Sequence, residues 1–255
     1  MSGRINDIQL FYEDLGSGDI LCLLHGFLEN RLMWKPIVEI LSKKNRIIII
    51  DLPGHGKSPL LKESNSMQAM ALAVDSVFEK LGVESVKFVG HSMGGYVALA
   101  FAKAFPRKTK GVLLLNSTPE ADTDERKQMR MHAVDMAGRN YEALVSMSVA
   151  NLFSAQKRTE FDDAIASTKA DALQVSAETY ITCQKSMSLR PDYSEYWKKA
   201  DFKRNMILGS DDGLINYNAM QKKFRSCGVK IDVLEGGHML HIENFMKVTE
   251  LLLQF

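Results

Sequence analysis

Short apolar runs separated by stretches of helical periodicity dominate the first half of the chain. Ile8-Gln9-Leu10-Phe11-Tyr12 alternates and predicts an edge-like strand. Ile20-Leu21-Cys22-Leu23-Leu24 and Ile47-Ile48-Ile49-Ile50 are continuous, and β-branching makes the second a strong strand former. Val86-Lys87-Phe88-Val89 and Val112-Leu113-Leu114-Leu115 follow. Runs apolar on both faces suit a mostly parallel sheet covered by helices on both sides. Met67, Met70, Ala71, Val74, Val77, Phe78 and Leu81 share one helical face, with Ser66 placed to cap its start and Gly82 its end. Val97, Ala98, Ala100, Phe101 and Ala104 predict a small-residue helix that can approach the sheet closely. The alternation implies right-handed βαβ units and the α/β class.

After Leu115 the pattern changes. From about Pro119 to Lys199 the periodicity is helical throughout. Met129, Ala133, Met136 and Ala137 form one stripe; Tyr141, Leu144, Val145, Ser148, Val149 and Leu152 form a second. Two further helices are expected over residues 158–171 and 172–187. Strands return at Met206-Ile207-Leu208 and at Lys230-Ile231-Asp232-Val233-Leu234, with a helix near 217–225 between them. Phe245, Val248, Leu251, Leu252 and Phe255 predict a closing amphipathic helix. An all-helical block of roughly 80 residues therefore interrupts an α/β domain.

Composition narrows the function classes. The 255 residues are 45% hydrophobic and 25% charged, enough for a sizeable core. A net charge of +1 gives no electrostatic case for nucleic acid or an anionic membrane. No apolar stretch approaches the ~20 residues of a membrane span. The first seven residues lack the apolar core of a signal peptide. Cys22, Cys183 and Cys227 are odd in number and widely spaced, without a metal-binding pattern, so a reducing cytosol is expected and neither a metal nor an organic cofactor is implied.

Candidate chemistry sits where strands end. Gly90-His91-Ser92-Met93-Gly94-Gly95 is Gly-x-Ser-x-Gly at a strand-to-helix turn, which can lift a serine hydroxyl clear of a sheet. A serine nucleophile needs a base, an orienting acid and two oxyanion donors. The base candidate is His238, just past the strand ending at Leu234; His241 lies later, where the chain begins to read as helix. The acid candidates are Asp211 and Asp212, just past Met206-Ile207-Leu208. Asp51 also ends a strand and is a rival. The backbone N–H groups of Phe27, in His25-Gly26-Phe27, and of Met93 are placed to face a carbonyl oxygen. His91, His55 and His25 are expected to be structural. Phe27, Tyr96, Met129 and Met136 are candidates to line a substrate pocket. Arg126, Arg130, Arg139, Arg158 and Arg190 could bind a substrate carboxylate, although a solvated helix face is the default for each.

These pieces, with Asp51-Leu52-Pro53-Gly54-His55-Gly56-Lys57-Ser58, resemble the α/β-hydrolase superfamily in order and spacing over nearly the whole chain. The resemblance implies a mostly parallel twisted sheet flanked by helices, a core at 1–117 and 200–255, and an inserted helical cap at 118–199. It implies Ser92 as nucleophile and His238 as proton shuttle. The family pattern Gly-x-x-Asp favours Asp212 over Asp211, marks Asp51 as structural, and pairs His238 with Glu243 in Gly-His-x-x-x-x-Glu. The implied activity is a serine esterase acting on a small or medium ester, lactone or thioester. Two alternatives share the site: carbon–carbon bond hydrolysis or a lyase like those of menaquinone synthesis, and a non-catalytic ligand receptor. Carbon–carbon hydrolases of this superfamily commonly carry Asn before the serine, where this chain has His91. Haloalkane dehalogenases use Asp where this chain has Ser92. The sequence leaves the oligomeric state open.

Overall fold

Residues 9–255 are described by a computed structural model. Strands β1 (Tyr12–Leu15), β2 (Asp19–Leu24), β3 (Asn45–Ile50), β4 (Val86–His91), β5 (Thr109–Leu115), β6 (Lys203–Gly209) and β7 (Lys230–Leu234) form one sheet in the order β1-β3-β2-β4-β5-β6-β7. β1 runs antiparallel to β3, and every other pairing is parallel. The continuous apolar runs are explained by burial on both faces. In β3, Ile48 and Ile50 enter one core cluster, while Ile47 and Ile49 enter the other. Cys22 and Leu24 of β2, and Val112 and Leu114 of β5, side with the first; their neighbours side with the second.

The first face is covered by α2 (Met67–Leu81), α3 (Met93–Ala104) and α9 (Tyr217–Phe224), the second by α1 (Lys35–Leu41) and α11 (Phe245–Leu253). Helix α2 has the limits its sequence implies. Ser66 Oγ accepts the Ala69 N–H at 3.1 Å, and Gly82 takes a left-handed φ of 64°. The edge strand differs from expectation: β1 begins at Tyr12, and Gln9, Leu10 and Phe11 precede it. Ile8 lies outside the described residues, as does the amino-terminal heptapeptide.

Between β5 and β6 stand five helices: α4 (Asp124–Ala137), α5 (Tyr141–Ala150), α6 (Asp162–Ala172), α7 (Ala177–Ser188) and α8 (Ser194–Lys199). A 3-10 turn at Arg158–Phe161 leads into α6, and Ser176 caps α7, so the second expected helix starts five residues late. Helices α4 to α7 contribute to an apolar cluster around Val145, Val149, Phe153 and Tyr180 that Leu28 and Met239 join, whereas Trp197 of α8 packs into the first core cluster. The stripe expected on α4 packs in part: Ala137 is buried and Ala133 and Met136 lie half-buried against the cluster around Val145, whereas Met129 is 71% exposed. A short α10 (Leu240–Glu243) precedes α11. None of the described helices is long and apolar enough to cross a membrane.

Candidate active site

Loops at the carboxyl ends of β2, β4, β5, β6 and β7 line one cavity together with residues of the helical insertion, where an open α/β sheet exposes side chains and backbone donors. Ser92 is the residue between β4 and α3. Its backbone is in a rare region, φ 49° and ψ −114°. Close packing holds it there. A Cβ on Gly90 would lie 2.5 Å from Gly95 backbone, and one on Gly94 would lie 2.3 Å from the Leu24 carbonyl oxygen. The Ser92 carbonyl accepts from Ser117 Oγ at 2.7 Å, and its N–H donates to Leu115 at 3.0 Å.

His238 is buried and linked directly to Asp212, with Nδ1 2.8 Å from Oδ2. Asp212 receives three further protein donors: Asn116 Nδ2 at 2.8 Å on Oδ2, then the Leu214 and Ile215 N–H groups at 2.8 and 3.2 Å on Oδ1. Burial pushes its pKa up, but His238 and these donors outweigh that and hold the carboxyl below its ordinary range. Asp211 points elsewhere and accepts from Ser154 Oγ at 3.0 Å. The His238 loop is held by Glu243, whose two oxygens accept the Ser154 and Gly237 N–H groups at 2.7 and 2.8 Å. Ser92 and His238 line the same cavity.

Among the described residues, neither the Phe27 nor the Met93 N–H has a protein acceptor, so both remain free to donate. The loop carrying Phe27 is braced by His25, whose Nδ1 donates to the Gly26 carbonyl at 2.7 Å and whose Nε2 accepts from Leu52 N–H at 2.9 Å. His55 Nδ1 donates to the Pro53 carbonyl. Asp51 is bound by Arg31 and by the Lys57 N–H, which accounts for it as a structural acid.

The rest of the site includes groups that sequence reasoning did not single out. Glu29 Oε2 accepts both the Gly26 N–H and His91 Nδ1 at 2.7 Å, while His91 Nε2 donates to the His238 carbonyl at 2.9 Å. Burial raises the cost of charging Glu29, but His91 holds it down at about 2. His91 is raised above its ordinary value, the Glu29 carboxylate outweighing burial. With both ring nitrogens donating, His91 is an imidazolium. Glu29, His91 and His241 have ligand atoms within 4.8 Å of one another, the donor set of a small metal site. The 2.7 Å hydrogen bond to Glu29 and the bond to the His238 carbonyl commit both nitrogens of His91, one of which a metal would need. Asn116, at φ 45°, is the other unforeseen member; its position directly after an apolar strand was the available signal.

A cavity of about 670 Å³ lies over Ser92, lined by Phe27, Tyr96 and Met129 among others. Met136 is not on its wall; it packs half-buried against the apolar cluster of the insertion. Arg190 departs most from its default, being buried at the cavity rather than solvated, and Arg126 and Arg130 also line the wall. Arg139 is exposed elsewhere, and Arg158 binds Asn151.

The chain is similar in structure to a thermophilic esterase from Thermogutta terrifontis, described with malate bound, at 26% identity and a TM-score of 0.90 over 96% of this chain and 92% of that one. It is similar to the enol-lactonase of Burkholderia xenovorans LB400 at 21% identity and a TM-score of 0.89, covering 99% and 98% of the two chains. In sequence it is 24% identical to the Arabidopsis thaliana protein PHYLLO over 99% of this chain but 16% of that protein's length. It is 34% identical to a Pseudomonas putida 2-hydroxy-6-oxononadienedioate/2-hydroxy-6-oxononatrienedioate hydrolase over 43% of this chain and 40% of that one. The chain thus spans well under half the length of these curated relatives. Residues 19–245 match the sequence model of the α/β hydrolase fold, and the chain belongs to that family.

Proposed function

We propose that this chain is a serine hydrolase that cleaves a small or medium carboxylic ester, lactone or thioester through an acyl-enzyme on Ser92. The observation that carries the reading is the 2.8 Å contact of Asp212 with His238 at the wall of the cavity that holds Ser92. His238 takes the Ser92 proton as the hydroxyl attacks the acyl carbon, and Asp212 stabilises the imidazolium that forms. The Phe27 and Met93 N–H groups receive the oxyanion, a contribution of about 3 kcal/mol per donor in such sites. His238 returns the proton to the leaving alcohol and then activates the water that hydrolyses the acyl-enzyme.

Residues 118–199 act as the cap that closes the cavity, with Phe27, Tyr96 and Met129 against the substrate. The three free thiols fit a reducing cytosol. Turnover of p-nitrophenyl acetate and butyrate tests the reading. Saturable release of nitrophenolate that Ser92→Ala abolishes is the expected result; a folded protein that turns over neither ester overturns it.

A further inference from the structure

Asp122, at the start of the helical insertion, has a fully buried carboxylate on which three guanidinium groups close. Arg190 Nη1 is 2.7 Å from Oδ1, Arg126 Nε is 3.3 Å from the same oxygen, and Arg130 Nε binds Oδ2. All four residues line the cavity that reaches Ser92. One carboxylate balances one of three cations. The other acids on the wall are committed or distant from this burial: Glu120 pairs with Lys223, Glu29 with His91, and Glu125 is exposed.

Arg190 is the most constrained of the three. Its side chain is 4% exposed, and its guanidinium carbon lies 4.0 Å from the centre of the Tyr96 ring. Nη1 and Nη2 donate to the Met187 and Glu120 carbonyls at 2.8 and 2.9 Å. Its Nε is buried with no acceptor among the described residues. Arg130 Nη1 donates to Gln184 Oε1 at 2.8 Å, which fixes its fork at the wall. Arg126 keeps 29% of its side chain in solvent, but Arg130 and Arg190 are largely buried, and holding a buried cation without a matching anion costs several kcal/mol. A guanidinium fork is matched geometrically by a carboxylate. Tyr96 stands four residues after Ser92 on α3, roughly 6 Å along the helix axis. Tyr96 thus joins the charged cluster to the helix that begins at the nucleophile.

We infer that Arg126, Arg130 and Arg190 form a subsite for a carboxylate carried by the substrate at a distance from the scissile carbonyl. This rests on the serine-hydrolase reading above and names its substrate class: esters of short carboxylated metabolites, not neutral fatty esters. Asp122 orients the three forks, and the substrate carboxylate supplies the missing charge. A hydrogen-bonded ion pair of this kind is worth about a tenfold to hundredfold preference.

The test compares kcat/KM within two matched pairs. One is mono-p-nitrophenyl adipate against p-nitrophenyl hexanoate; the other is 4-acetoxybenzoate against phenyl acetate. In at least one pair the charged member should be favoured by about tenfold or more. Arg130→Gln and Arg126→Gln should each reduce that preference toward unity, whereas Arg139→Gln, outside the cavity, keeps it. Because the readout is a ratio within one protein, general damage to the variant cancels. Equal turnover within both pairs, or a preference that survives both substitutions, overturns the subsite. If no ester of any kind is cleaved, the hydrolase reading fails by itself, and thermal melting still tests the subsite. Millimolar adipate should then raise the Tm of the wild type and not of Arg130→Gln; the lack of any such shift overturns it.

Discussion

His91, the residue before the candidate nucleophile, holds the backbone of the candidate base: its Nε2 donates to the His238 carbonyl at 2.9 Å. The same ring is anchored by Glu29, which also grips the Gly26 N–H of the loop that carries Phe27. One buried ion pair thus ties together the strand-to-helix turn, the histidine loop and the proposed oxyanion loop. Removing one partner of a buried pair leaves an uncompensated charge, at about 3–5 kcal/mol. Glu29→Gln and His91→Ala should each lower stability by that order in urea unfolding. Each should also lower kcat more than it raises KM. A variant that loses stability while keeping its kcat would remove His91 from the positioning of the site.

The two neighbouring aspartates should behave very differently. Asp212 bonds His238, whereas Asp211 bonds Ser154. Asp212→Asn should reduce kcat by about 10³–10⁴-fold, because the amide favours the wrong tautomer of the histidine. Asp211→Asn should stay within about tenfold of wild type on the same reasoning. Asn116→Ala removes one of the donors to Asp212 and is expected between the two. Steady-state kinetics on p-nitrophenyl butyrate would reveal a reversed order.

Gly94 should tolerate no side chain. A methyl there would sit 2.3 Å from the Leu24 carbonyl oxygen, with backbone on the opposing side. Gly94→Ala is expected to destabilise by about 3 kcal/mol or more. Gly213, with open space around its Cβ position, is the control and should cost well under about 1 kcal/mol. Equal chemical denaturation midpoints for the two variants would contradict the packing described at the turn.

Acid should weaken the fold through its buried neutral histidines. Burial holds His241 and His55 down at about 3. In the unfolded chain a histidine binds its proton near pH 6.5. As pH falls from there toward 3, the unfolded chain gains protons that the folded chain refuses, so stability drops by up to about 1.4 kcal/mol per pH unit for each group. Glu29 adds to the loss between about 4.5 and 2, since its folded value is depressed. His91, raised by Glu29, acts oppositely: its contribution is complete below about 6.5 and fades as pH rises through its higher folded value. Tm measured from pH 7 to 4 should fall, and His241→Gln should make the fall shallower. An unchanged slope in that variant would show that His241 titrates alike in both states.

Much of this architecture is legible in local pattern. The continuous apolar runs become parallel strands because both of their faces are covered, and Ser66 and Gly82 mark α2 at both ends. The segment before β3 is harder to read. Its signals were present: Asn30 accepts the Leu32 N–H at 2.9 Å, and Pro36 opens α1. They mark a 3-10 turn and a seven-residue helix, too short for a clear apolar period. The burial of Arg190 is hidden in the sequence for a different reason. A lone arginine between helices reads as solvated, and nothing local in sequence reveals Asp122, 68 residues earlier, or the Tyr96 ring beneath it. The roles of Glu29 and Asn116 are hidden likewise, since their partners come from distant loops.

In the proposed mechanism Ser92 forms the covalent intermediate. The most direct measurement mixes the protein with p-nitrophenyl butyrate, quenches in acid within the first turnover, and locates the acyl group by peptide mass spectrometry. The expected result is a butyryl adduct on the peptide containing Ser92, with up to one nitrophenolate released per chain in the burst, and neither in Ser92→Ala. An adduct on another residue, or undiminished nitrophenolate release by Ser92→Ala, would contradict it.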